Sequence, residues 1–452
     1  MKAHEFDYTF SFEPIQNQST QVTLFTHLKD KRDLFTVSIN DRALSINGLS
    51  TVPSLSADLL DLSIAIHAVD RLIKRRTETP LGFRIELPVR NYEVFTRSDV
   101  YDLLTEILEW YTGDCWHFEF SKREALRREI EIQSQLPWIN LPKEIEVALW
   151  SGGLDSLSGL YTQLLNNPEN HHFLIGTGSN SSVHKKQKKI ADLIEQTFPN
   201  RTFLIQVPYH WQNTPSRQKN FNQRSRGLVF ILIGAASAYH LGCHSLFIYE
   251  NGIGAINLPY TKAQVGLDQA KSVHPLSLLH VSEFLSRVLN SHFQVNNPFW
   301  LWTKAQMVES MVKTNGYDLI SLSSSCDRVH RLDKGITQCG VCTSCLLRRQ
   351  SLSALGVNDL TDYDDKRIDK NNPPIRAMQY QVNRIRNLLL QPDPWVSLSR
   401  DYHELDEIVD QISLQTKQEA AQLRIRIIKL YSNYVDEWQL FEENIERMQQ
   451  AS

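Results

Sequence analysis

Six consecutive residues, Ser151-Gly152-Gly153-Leu154-Asp155-Ser156, follow directly on the apolar run at 145–150 and open a helical pattern. A strand that turns through two glycines into a helix gathers bare backbone amides and the positive end of the helix dipole at one point, which suits an anion. The anion expected there is a phosphate, with the Ser151 and Ser156 hydroxyls donating to its oxygens. Asp155 is placed to hold a metal ion that neutralises charge developing on a phosphoryl group. A Gly-Gly turn alone can merely join strand to helix, but the whole hexapeptide in this context favours the phosphate reading. No Walker-type lysine pattern is present, and neither Gly176-Thr177-Gly178 nor Gly252-Ile253-Gly254 completes a dinucleotide fingerprint. Kinase-like and hydride-transfer chemistry therefore lose support.

The second chemical pattern is Cys326, Cys339, Cys342 and Cys345, spaced Cys-x12-Cys-x2-Cys-x2-Cys. Two overlapping Cys-x2-Cys turns present three thiolates to one cation, and the fourth closes a tetrahedron with no position left for a catalytic water. Structural Zn²⁺ is the reading this favours, over an iron–sulfur cluster or redox thiols. Cys115 and Cys243 stand among apolar residues and are expected to be small buried side chains. Six cysteines in 452 residues are too sparse for a secreted disulfide framework, so a reducing, cytoplasmic compartment is expected.

The elements that must carry these residues alternate strand and helix. Strands are expected at 145–150, 172–175, 202–207 and 246–249, with helices after Leu154, at 183–198 and at 222–241. Such alternation predicts a doubly wound parallel sheet whose ligands sit beyond the carboxyl ends of the strands. Ahead of it, residues 1–140 read as an α+β accessory domain, with strands at 8–13, 21–26, 34–39, 83–89 and 116–120 and helices at 57–75 and 100–110. A linker is expected at 137–142, between two prolines. Residues 143–360 form the chemistry-bearing domain. Residues 370–452 read as a helical extension in which Ala420, Leu423, Ile427, Leu430, Tyr431, Tyr434, Trp438 and Phe441 recur at three and four. That apolar face is expected to pack on its own protein, a partner-binding helix being the alternative.

Composition narrows the partners. Lys and Arg total 48 against 51 Asp and Glu, a formal charge of -3, so no global excess draws the chain to nucleic acid. Lys185-Lys186 and Lys188-Lys189 surround one helix and read as a solvated face. The longest apolar stretch, 227–242, is broken by Ser237, Tyr239 and His240, and no membrane span is expected.

Ser151-Gly-Gly-Leu-Asp-Ser156 resembles the loop of the PP-loop ATP pyrophosphatases, in which ATP adenylates a substrate and pyrophosphate is released. With the four cysteines, read as Cys339-Gly-Val-Cys342-Thr-Ser-Cys345-Leu-Leu-Arg348, the chain is similar over about 144–356 to the 7-cyano-7-deazaguanine synthase (QueC) family. His184, Ala191, Gln223-Arg224-Ser225-Arg226, Ala235-Ala236, Asn297-Pro298 and Thr303-Lys304-Ala305 extend the resemblance. It implies a PP-loop (HUP-like) fold with structural zinc, use of ATP with Mg²⁺, and a 7-deazaguanine carboxylate as substrate. Catalytic roles are then expected for Asp155, Lys304, Arg224 and Arg226, with Lys304 the candidate to stabilise charge on the α-phosphate.

The departures are informative. Stand-alone members lack the first 140 residues and the helical tail, and carry Tyr-Gly-Gln where this chain has Gly178-Ser-Asn-Ser-Ser182. The segment 250–260, Glu-Asn-Gly-Ile-Gly-Ala-Ile-Asn-Leu-Pro-Tyr, lacks the Tyr-Pro-Asp-Cys that follows in the family. An intact loop with an altered acceptor side predicts the same activation chemistry with a different product. The enlarged layout resembles the QueC-like proteins of bacterial antiviral cassettes, among them the QatC component of the Qat anti-phage system, and implies amide formation with a protein amine of a partner. The alternatives are a housekeeping nitrile synthase for queuosine biosynthesis and a catalytically silent scaffold. A tRNA-thiolating enzyme would need a reactive cysteine beside the loop, which the sequence does not offer.

Overall fold

Apolar and polar residues alternate near the start of the chain and build strands β1 (Tyr8–Ile15), β2 (Ser19–Thr26) and β3 (Lys31–Ile39), paired as an antiparallel meander. The computed structural model describes residues 6–15, 19–26, 31–44, 51–73, 80–124, 127–132, 144–212, 220, 223–261, 271–314, 316–327, 338–365, 368–369 and 371–450. The expected linker at 137–142 lies outside them. Helix α1 (Ser54–Leu72), strand β4 (Gly82–Val89), helices α2 (Tyr92–Phe95) and α3 (Ser98–Thr112), strand β5 (Cys115–Lys122) and the one-turn helix α4 (Glu129–Ile132) follow. β4 lies parallel to β1, and β5 parallel to β4.

The chain then alternates as expected. It runs through β6 (Ile145–Leu149), α5 (Leu154–Asn166), β7 (His171–Gly178), α6 (Ser181–Thr197), β8 (Thr202–Gln212), α7 (Arg226–His240), β9 (Ser245–Phe247), α8 (Gly252–Ile256), α9 (Pro275–Leu289) and β10 (Gln294–Asn296). Helices α10 (Lys304–Val312), α11 (Tyr317–Ile320) and α12 (Thr343–Ala354) complete this part. The five strands are parallel in the order β10-β9-β6-β7-β8, a doubly wound sheet. From β6 the chain moves to one side through β7 and β8, then crosses back to β9 and β10. The topological switch point therefore lies between β6 and β9.

The sheet does not stop at the expected boundary near 140. Residues Thr36 to Ile39 of β3 pair antiparallel with Tyr209 to Gln212 of β8, making ten strands in the order β10-β9-β6-β7-β8-β3-β2-β1-β4-β5. One apolar core crosses the junction, from Phe10 and Val22 through Ile64 and Leu232 to Phe284. Its centre is the packing of α1 on α7.

Helices α13 (Pro373–Leu389), α14 (Pro394–Asp401), α15 (Glu404–Thr416) and α16 (Ala420–Gln450) form the tail. Leu423, Ile427, Leu430, Tyr431, Tyr434, Trp438 and Phe441 of α16 are buried against α8, α12, α13 and α15, so the chain covers this face itself. Two sequence expectations need correction. Cys115 is exposed, because it opens β5 on the outward side of the strand's alternation, and Cys243 is only half-buried. Helix α7 begins at Arg226, which leaves Arg224 ahead of it. No helix among the described residues is long and apolar enough to cross a membrane.

The N-terminal unit is pinned by buried charge. Asp61 of α1 accepts from Arg90 at 2.6 Å, from Arg123 at 2.7 Å and from Arg128. Arg90 also reaches Asp58 at 3.0 Å and Glu131 at 2.5 Å, and Arg128 reaches Asp41 at 2.7 Å. Burial opposes ionisation of Asp61, but Arg128, Arg90 and Arg123 together hold its carboxyl down at about 2. Replacing Asp61 by Asn removes the one carboxylate that three guanidinium groups share and is expected to remove about 3–5 kcal/mol of stability in denaturant titrations at neutral pH. Because the folded value is depressed, the wild-type contribution is present above the unfolded value near 4 and fades as the pH falls toward about 2.

Candidate active site and metal centre

Strand β6 ends at Leu149, and Trp150 extends its pairing by donating to the Ile175 carbonyl at 2.9 Å. Trp150 and Gln187 of α6 then bond reciprocally, indole nitrogen to carbonyl at 3.0 Å and amide to carbonyl at 2.8 Å. The chain turns at Gly152, whose φ of +71° lies in the left-handed region and whose Cα faces the Gln187 backbone. The first intrahelical bond of α5 runs from Leu157 to Gly153 at 3.0 Å, so the amides of Leu154, Asp155 and Ser156 have no partner within the helix. Ser151 Oγ lies 3.0 Å from Ser156 Oγ beside them. All six predicted loop residues thus form one amide-and-hydroxyl cradle at the positive end of a helix.

Beneath the cradle the switch point brings β6 and β9 side by side, and their following segments meet. Lys304 Nζ, at the first residue of α10, donates to Asp155 Oδ2. Asn251 Nδ2 donates to Asp155 Oδ1 at 3.0 Å and to Glu250 Oε1 at 2.7 Å. The Glu250 backbone is held by both ends of the Asn297 amide. Burial pushes the Lys304 ammonium down, but Asp155 and Glu250 more than compensate, and it is held charged. Burial first, and then the Asp155 charge, raise the Glu250 carboxyl well above the usual range. Asp155 and Lys304, both expected as site residues, are therefore together. Glu250 and Asn251 were not picked out as site residues from the sequence. The available signal was their place directly after a buried strand at the switch point.

Arg224 and Arg226 sit elsewhere on the same end of the sheet. Arg224 Nη1 donates to the Thr112 carbonyl of α3 at 2.6 Å. Arg226 is exposed and lies over the Phe230 ring, with its centre 5.1 Å away. Its charge reaches Tyr209 on β8. β8 is two strands from β6, and Tyr209 lies four residues beyond Ile205, the residue level with the end of β6, so this region stands apart from the cradle.

The four clustered cysteines converge. Their sulfur atoms lie within 4.8 Å of one another, and Cys339 Sγ and Cys345 Sγ are 3.9 Å apart. Four thiolates about 2.3 Å from one Zn²⁺ stand about 3.8 Å apart in a tetrahedron, so the cluster fits a zinc site. The amides of Cys339 and Cys342 point at Cys326 Sγ and Cys339 Sγ, both at 3.3 Å, which stabilises thiolate charge.

This centre also holds the cradle. Ser324, two residues before Cys326, donates to the Gly152 carbonyl at 3.3 Å, and Ser325 Oγ accepts from the Leu154 amide at 3.4 Å. Gln338 ties Ser323 and Ser325 to Cys339, while the fully buried Arg348 of α12 binds Ser323 Oγ at 2.8 Å and the Ile320 carbonyl.

Residues 205–356, about a third of the chain, match the family model described as Queuosine biosynthesis protein QueC. The matched stretch contains Arg224, Arg226, Glu250, Lys304 and the four cysteines, and begins after the Ser151–Ser156 cradle. No curated protein matches the chain.

Protein purified under reducing conditions is expected to carry one Zn²⁺ per chain by elemental analysis. Cys342→Ser should lose the ion and weaken pyrophosphate binding at the cradle, because Ser324 and Ser325 lose their anchor; retained binding without zinc would contradict the coupling. Glu250→Gln should raise the thermal midpoint near pH 8, with the gain shrinking toward pH 5. A raised folded value means that the wild type binds an extra proton in this window and loses stability as the pH rises through it.

Proposed function

We propose that this chain is an ATP-dependent, AMP- and pyrophosphate-forming ligase that adenylates the carboxylate of a 7-deazaguanine and transfers the acyl group to a nitrogen nucleophile. The acceptor is a protein amine of a partner in bacterial antiviral defence. The observation that carries this reading is the meeting of an anion cradle and a buried, charged lysine at the switch point of a doubly wound sheet. The QueC match over 205–356 supports the substrate class.

In the first step a carboxylate oxygen attacks the α-phosphorus of ATP, the bond to the bridging β-phosphate oxygen breaks, and pyrophosphate departs into the amides and hydroxyls of Ser151 to Ser156. Lys304 faces the charge that grows on the α-phosphoryl oxygens, and Asp155 keeps its ammonium charged and aimed. Asp155 and Glu250 offer the hard oxygen donors suited to Mg²⁺, which supplies charge neutralisation when bound. Arg226, further along the same end of the sheet, is assigned to the far end of the adenylate, and Arg224 to orienting the segment that leads into α7.

In the second step the amine nitrogen attacks the acyl carbon, the bond to the AMP oxygen breaks, and AMP leaves with that oxygen. The nitrogen must shed a proton. That proton passes to water, because Glu250 already holds one below about pH 8.

Purified protein given ATP, Mg²⁺ and 7-carboxy-7-deazaguanine is expected to release AMP only when the base is present. Lys304→Ala and Asp155→Ala should each lower that rate by about 10²–10³. Intact-mass analysis of partner proteins should show a gain of one acyl-deazaguanine. A nitrile product formed with ammonia would instead favour the free-base synthase, and absence of AMP release would overturn the ligase.

A further inference from the structure

Helix α16 lies outside the residues that match QueC, yet it packs on α8 and α12 and reaches the N-cap of α10. Its Glu437 carboxylate accepts from Thr303 Oγ1 with one oxygen and from Gln350 Nε2 at 2.9 Å with the other. Thr303 is the N-cap of α10, and the next residue is Lys304. The Thr303 hydroxyl accepts from the Gln306 amide at 3.2 Å, while the Gln306 side chain accepts from the Thr303 amide at 2.8 Å. Glu437 therefore completes a capping box from outside, fixing the hydroxyl that sets the first turn of α10. Gln350 belongs to α12, the helix that carries Cys345.

The same helix backs the other half of the site. A Cβ on Gly252, the residue after Glu250-Asn251, would stand 2.7 Å from Leu430 of α16 and 2.4 Å from the Trp300 carbonyl. Only a glycine allows α8 to lie this close. Further along, Asn444 donates to Ser353 of α12 at 2.9 Å.

We infer that α16 is a positioning element of the active site, and that Glu437 holds the first turn of α10 so that Lys304 meets Asp155. The inference rests on the ligase reading for its catalytic consequence and on geometry alone for its structural one. Glu437 does not reach the reacting atoms; it acts through Thr303. Its burial is consistent with a placed group, since desolvation raises the carboxyl while Thr303 and Gln350 offset part of that rise. An amide in its place keeps the shape, its oxygen accepting from Gln350 and its nitrogen donating to the Thr303 hydroxyl, which has a second lone pair to offer.

Two readouts on the full chain test this. Amide exchange at residues 305–308 is expected to be about fivefold or more faster in Glu437→Ala, with α5 and β7 unchanged, and to return to wild type in Glu437→Gln. In AMP release, Glu437→Ala should lower kcat about tenfold with KM for ATP within about threefold, whereas Glu437→Gln should stay within about threefold of wild type. Unchanged exchange at 305–308, or acceleration spread equally over α5 and β7, would overturn the inference. Wild-type protein that releases no AMP while exchange in Glu437→Ala is locally faster would overturn the ligase reading and leave the positioning role supported.

Discussion

An ammonium group taken out of water must be matched by a carboxylate or lose its proton, and the arrangement around Lys304 follows from that demand. Its partner, Asp155, stands on the first turn of the helix after β6. The second carboxylate, Glu250, follows β9. Two such segments approach each other only where the winding of a parallel sheet reverses, so strand order is the prior condition of the ion pair. Everything else limits how far the pair can drift: Asn251 bridges the carboxylates, Asn297 holds Glu250, and the cysteine centre grips the cradle through Ser324 and Ser325.

The molecule contains a second buried ionic cluster, and the contrast is instructive. Around Asp61, three guanidinium groups converge on one carboxylate while Asp41, Asp58 and Glu131 share two of them, and the proton affinity of Asp61 falls well below normal. Around Lys304, one ammonium faces two carboxylates, and the affinity of Glu250 rises. The first arrangement is electrostatically satisfied and serves to hold α1, β4 and α4 together. In the second the ammonium pairs with Asp155, and the Glu250 carboxylate accepts from the neutral Asn251 amide, the condition in which a proton is welcome. The partner each carboxylate faces, guanidinium for Asp61 and a neutral amide for Glu250, separates the two clusters more than the depth of burial does.

Much of this was legible in the sequence because it depends on local pattern. Ser151 to Ser156, the spacing of the four cysteines and the three-four repeat of Leu423 to Phe441 each describe a geometry set by neighbours in the chain. What escaped depends on partners far away. Glu250 and Asn251 gain meaning only from the adjacency of β9 to β6, and Glu437 only from a contact with Thr303 across 134 positions. The start of α7 moved from 222 to Arg226 because the Ser225 amide and hydroxyl are taken up by Asp70 of the N-terminal unit. Exposure of Cys115 came from a strand alternation that composition does not reveal.

The antiparallel pairing of β3 with β8 carries one more consequence. In the parallel part alone, β8 is an outer strand with eleven residues, and its unpaired amides and carbonyls would invite any extended segment to add on. β3 occupies the part of that rim reached by Thr36 to Ile39. The N-terminal unit thus guards Tyr209 to Gln212 of that rim against edge-to-edge pairing, and a shortened chain beginning at the cradle-bearing half would bare them together with the face of α7 that packs on α1.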